Sequence, residues 1–66
     1  MIGERLKIAL AIRGIKQNQL AKKIGVTAVT IHRYIIDERC PDGETIIKIC
    51  KELNISADWL LGLMGD

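Results

Sequence analysis

The sequence is poor in cysteine and proline and has no long apolar run, and each shortage removes a class of protein. The two cysteines, Cys40 and Cys50, lack CxxC spacing, and with His32 as the sole histidine they cannot assemble an ordinary tetrahedral zinc site. No metal is expected. No secretory signal opens the chain, so the expected setting is a reducing cytoplasm with two free thiols, although a single disulfide would be possible in principle. Cys50 lies in an apolar helical stripe, where a buried thiol behaves as a small hydrophobe. Charges interrupt every apolar stretch well short of the roughly 18 residues that a membrane span needs, so a soluble protein is expected. Nor is there a nucleophile paired with a base, a carboxylate pair in a plausible cleft, or a phosphate-cradling loop, so neither catalysis nor a cofactor is expected.

What is present fits one small domain. Sixty-six residues, 48% hydrophobic and 27% charged, leave no room for a second core, and a chain this short needs well-packed helices, a partner or a staple. Its net charge of +2 is mild, but the distribution is uneven. Residues 1–39 carry Arg5, Lys7, Arg13, Lys16, Lys22, Lys23, Arg33 and Arg39 against Glu4, Asp37 and Glu38, a balance of +5. From Cys40 onward the balance is −3. A basic half joined to an acidic half points to one face for a polyanion.

Apolar residues recur at helical spacing almost throughout and nowhere alternate as a half-buried strand requires, which predicts an all-α domain of about five helices. The first spans Ile2 to Arg13, with Ile2, Leu6, Ala9, Leu10 and Arg13 on one side, and ends at Gly14. The second, Gln17 to Ile24, turns Leu20, Ala21 and Ile24 inward, keeps Lys22 and Lys23 outside, and stops at Gly25. Thr27 then caps a third helix, Ala28 to Ile36, through the amide of Val29 or Thr30; this helix buries Ile31, Tyr34 and Ile35. After a connection holding the only proline, Pro41, Asp42 caps a fourth helix from Gly43 to Leu53, with Ile46, Ile49, Cys50 and Leu53 inward. Ser56 caps the last, with Asp58 in its first turn and Trp59, Leu60 and Leu63 available for burial.

Between residues 17 and 34 the pattern becomes specific. Two helices joined by a very short turn cross steeply, which calls for a small residue at the crossing, Ala21, and a glycine in the turn, Gly25. Val26 and Ile31 fill the wedge. On these residues the stretch GIKQNQLAKKIGVTAVTIHRY resembles the helix-turn-helix family of phage repressors and Cro. The resemblance runs on through IGERLKIA before it and PDGETIIKICKELNIS and ADWLLG after it. It implies a lambda-repressor-like fold and a double-stranded DNA operator as partner, with the third helix entering the major groove by its N-terminal half. Ala28, Val29, His32 and Arg33 would then face bases. Arg33 can offer two donors to guanine O6 and N7, whereas Ala28 and Val29 touch a thymine methyl or act by shape. The competing role for Arg33 is a surface pair with Asp37. Gln17 matches a family glutamine that holds a phosphate at the start of the second helix, and Lys16, Thr27, Thr30, Arg39 and the amides near Cys40 are further phosphate candidates.

The chain also departs from the family. Lys16 replaces the usual serine or threonine cap, and Asp37 stands where glycine commonly closes the third helix. Many repressors join an arginine and a glutamate at the positions of Leu10 and Ile35; here both are apolar, a swap that is often neutral or stabilising, and it predicts that Leu10 touches Ile35. Ile8, Ile12 and Ile36, with Leu63 and Met64, are either scattered surface hydrophobes, a homodimer contact, or a site for a further C-terminal domain. The expectation is a cytoplasmic, DNA-binding transcriptional repressor acting as a dimer. The alternative is a protein-interaction module of the same fold, such as an antitoxin or anti-repressor, favoured by the apolar Ala28 and Val29 and opposed by the basic first half.

Overall fold

The computed structural model describes residues 2–63, so the expectation for Met64 lies outside the described residues. Within them are five α-helices and no strand: α1 (Ile2–Arg13), α2 (Gln17–Ile24), α3 (Ala28–Ile35), α4 (Gly43–Leu53) and α5 (Ala57–Leu60). Every helix sends at least one side chain into a common core, with Leu6, Leu20, Ile31, Ile49, Leu53 and Leu60 at most 1% exposed. The buried side chains among the described residues are all hydrophobic ones and none is charged, so apolar burial is the main force holding the core.

Local chemistry sets the helix ends. Thr27 Oγ1 accepts from the Thr30 amide at 3.1 Å, and Asp42 Oδ1 accepts from the Thr45 amide at 2.8 Å. Ser56 Oγ accepts from Asp58 and Trp59. Lys16 has no oxygen with which to cap α2, but Gln19 Oε1 accepts from the Lys16 amide at 2.8 Å, which supplies the return half of a capping box. Between α2 and α3, Gly25 adopts φ 79°, a left-handed conformation that closes α2 by donating to the Ala21 carbonyl at 2.9 Å. Val26 donates to that same carbonyl and folds half-buried against the core.

Three expectations change. α3 ends at Ile35, one residue early, because Ile36 serves as its cap and Asp37 turns the chain at φ 58°. Leu63 is 74% exposed, since α5 is a single turn and Gly62 (φ 76°) reverses the chain before the apolar period can continue. Arg13 does not share the apolar side of α1 for packing; its Nε donates to the Leu53 carbonyl at 2.7 Å and its Nη2 to the Asn54 carbonyl at 2.9 Å. It thus satisfies carbonyls that the end of α4 leaves open.

Legible only in three dimensions is the junction of α1 with α3. A Cβ at Gly3 would fall 2.7 Å from the Tyr34 carbonyl oxygen and collide with that of Ile35, so glycine is what lets the start of α1 lie against the end of α3. The Gly3 amide donates to Asp37 Oδ1 at 3.0 Å, so an aspartate 34 residues away caps α1.

Substitutions at the junction and at the caps test these roles. Gly3→Ala destabilises by about 1–3 kcal/mol through overpacking against backbone, and Asp37→Ala by about 2 kcal/mol through loss of the cap and a left-handed residue without a compensating side chain. Asp37→Asn stays close to the parent; urea denaturation of the three variants checks the order. The Thr45 hydroxyl and amide bonds hold the Asp42 carboxyl below its ordinary value of 3.8. A depressed folded value contributes stability above the unfolded value, and that stability is lost as pH falls through the folded one. Asp42→Asn is therefore expected to flatten the acid limb of stability below about pH 4, read from denaturation midpoints.

Candidate nucleic-acid interface

The inner side of α3 is fixed by Ile31 and Tyr34, both buried, which turns Ala28, Val29, His32 and Arg33 outward. All four are exposed, with Val29 at 60%. The outer side of the helix is thus exposed at these four positions.

Two depressions flank it. The first is lined by Lys7, Leu10, Ile15, Lys16, Gln17, Asn18, Ala28 and Ile35, so the middle of α1, the start of α2 and both ends of α3 share it. Leu10 is buried and Ile35 half-buried, and both line it, so neither of the paired apolar side chains stands in solvent. Lys16 and Gln17 stand at the N-terminus of α2, where free amides and the helix dipole favour an anion. Lys7 and Asn18 join them here, and neither was among the residues expected from sequence. Spacing could have found Lys7, three residues before Leu10 on the same side of α1.

The second depression, about 380 Å³, holds Val26, Thr27, Thr30, Tyr34, Arg39, Cys40, Asp42 and Thr45. The Thr27 and Thr30 hydroxyl oxygens are 2.9 Å apart. One hydroxyl proton is used in that bond and the other is left for an outside acceptor such as a phosphate oxygen. Asp42 places a carboxylate in the same cleft, so its positive charge rests on Arg39 alone. Cys40 is an exposed free thiol whose Sγ donates to the Pro41 carbonyl at 3.6 Å, while Cys50 is buried and burial pushes its thiol up. The described residues contain no group of three metal-ligating side chains.

The basic half of the chain is less available than its charge suggests. Arg5 lies 5.1 Å from the centroid of the Trp59 ring, joining α1 to α5, and Arg13 closes α4. Arg33 pairs with Glu38, not Asp37: Nε lies 3.6 Å from Glu38 Oε1, and the Asp37 carboxylate is turned to Gly3. Lys7 and Lys16 on one flank and Arg39 on the other are the bases beside α3.

The helix-turn-helix family model matches residues 6–60, from within α1 to the last residue of α5. The chain belongs to the phage-repressor branch of the helix-turn-helix family. It is 36% identical over 61 residues to the transcriptional regulator ImmR of Bacillus subtilis, covering 92% of this chain and 48% of that protein. Repressor protein C2 of Salmonella phage P22 is 34% identical over 61 residues, covering 92% of this chain and 28% of that repressor. The chain thus spans about half of the first regulator and less of the second. Among solved structures, the P22 c2 repressor in complex with a synthetic operator superposes with a TM-score of 0.85 at 33% identity, covering 91% of each chain. SinR in complex with DNA gives 0.85 at 27% identity over 92% of this chain and 98% of that one. The helix-turn-helix of the family corresponds to α2 and α3.

Arg13→Ala is expected to lower the thermal midpoint by removing both bonds to the end of α4, at about 1–3 kcal/mol for hydrogen bonds from a charged donor. Arg13→Lys recovers only part of this, because lysine lacks the planar fork that reaches two carbonyls. Thermal denaturation followed by circular dichroism compares the two.

Proposed function

We propose that this chain is a sequence-specific double-stranded DNA-binding transcriptional regulator of the repressor type. It inserts α3 into the major groove and engages phosphates on both flanks. The observation that carries the reading is the exposed outer side of α3, bordered by one depression with Lys7, Lys16 and Gln17 and another with Thr27, Thr30 and Arg39. The P22 c2 and SinR structures were both determined with DNA bound, which supports it.

In this reading Arg33 supplies the direct hydrogen-bond readout, Val29 and Ala28 meet thymine methyl groups, and His32 borders them. Lys16, Gln17, Thr27, Thr30, Arg39 and the backbone near Cys40 hold phosphates and set the register. Lys7 is added to the phosphate set. The protein acts in the cytoplasm as a homodimer on a two-fold operator, with half-sites about one helical turn apart. Ile8, Ile12, Ile36 and Leu63 remain exposed, and such side chains suit a contact between copies or with a further domain. No catalytic role is assigned. No helix among the described residues is long and apolar enough to cross a membrane.

A second reading, a protein-binding module of the same fold, is favoured by the same apolar exposure and by SinR, which is also known in complex with the protein SinI. The two readings part in one experiment. Selection of duplex DNA from a random pool is expected to enrich a two-fold sequence containing guanine, and Arg33→Ala to remove the guanine preference. Lys7→Ala and Lys16→Ala are each expected to weaken binding to all sequences alike and to reduce the salt slope by about 0.9. Enrichment of no sequence at low salt would sink the DNA reading.

A further inference from the structure

Glu38 places a carboxylate beside a surface that, on the reading above, must approach a polyanion, and nothing in the core requires it there. Its position is nevertheless well defined. The Glu38 amide donates to the Arg33 carbonyl at 2.9 Å and the Arg39 amide to that same oxygen at 3.2 Å, so the chain folds back over the last turn of α3. Asp37, at φ 58° and bonded to the Gly3 amide, makes that reversal. The outcome is a carboxylate 3.6 Å from Arg33 Nε, with both side chains about half exposed or more.

We propose that Glu38 is a positioning residue that confers specificity on Arg33. This rests on Arg33 being a base reader. A guanidinium has five donors in a rigid plane. With the carboxylate on the Nε side, the two terminal Nη groups point away as a parallel pair, the arrangement that matches guanine O6 and N7. Adenine presents a donor where guanine presents O6, so an end-on pair meets one acceptor and one repelling group. Without Glu38 the long arginine chain is free to swing to a phosphate, which adds affinity at every sequence and information at none. The carboxylate opposes that excursion twice, by attracting the guanidinium from the Nε side and by repelling the phosphate. Glu38 thereby lowers binding to arbitrary DNA while sharpening the preference for guanine.

The test compares dissociation constants for a duplex selected by the unmodified protein and for the same duplex with the preferred guanine replaced by adenine. Glu38→Ala is expected to tighten binding to the substituted duplex and to cut the ratio of the two constants about two- to fivefold, the range for a half-exposed ion pair. Glu38→Gln, which keeps an acceptor without the charge, falls between. In an Arg33→Ala background, Glu38→Ala leaves the ratio unchanged. The proposal is overturned if Glu38→Ala shifts both constants equally, which is general repulsion, or if its effect on the ratio persists without Arg33. The underlying reading is judged first and separately. If the unmodified protein selects no sequence, or Arg33→Ala alone keeps the guanine preference, Arg33 is not the reader and the role of Glu38 falls with it.

Discussion

The contact on which the arrangement of this domain most depends is the meeting of the first turn of α1 with the last turn of α3. Gly3 lies against the carbonyls of Tyr34 and Ile35 at a distance that no side chain allows, and its amide is held by Asp37. This one contact thus does three things. It satisfies an open donor of α1, ends α3 after Ile35, and holds Asp37 in the left-handed conformation that sends the chain back over Arg33. The cost of a non-glycine residue at positive φ is offset by a hydrogen bond that glycine could not have made. Aspartate is the compromise between backbone freedom and capping.

Charge is allotted in a similar way. Arg5 and Arg13 link α1 to α5 and to the end of α4, and Arg33 is engaged by Glu38. The bases bordering α3 are therefore fewer than the eight in the first 39 residues, and they stand where helix N-termini and a pair of threonine hydroxyls add donors. On the proposed reading, a mild net charge suffices for a phosphate-binding face, because donors close to a phosphate contribute more than distant charge does. The apolar Leu10 and Ile35 fit the same economy. They line one flank of α3 without a buried ion pair, whose desolvation penalty can exceed its Coulombic gain.

Most of the fold was legible along the chain. Helical periodicity placed all five helices, and Thr27, Asp42 and Ser56 capped three of them through the amides or helix starts expected. These features are local, since a cap or an apolar stripe involves residues within a turn or two. Of the site, the outward turn of Ala28, Val29, His32 and Arg33 followed from the inward turn of Ile31 and Tyr34. The places of Lys7, Asn18 and Glu38 did not: spacing sets the side of α1 that Lys7 shares with Leu10, but only the packing of the elements brings each of the three beside α3.

What the sequence by itself determined is therefore the set of helices, the face each buries, and the family whose pattern they follow, because these rest on spacing within single elements. Tertiary structure alone decided that Asp37 caps α1, that Arg13 closes α4 in place of joining a basic face, and that Arg33 meets Glu38 and not Asp37. Each is a long-range or turn-dependent pairing: helical spacing pointed Arg33 to Asp37, and only the reversal at Asp37 turned that carboxylate toward Gly3 and brought Glu38 to Arg33 in its place.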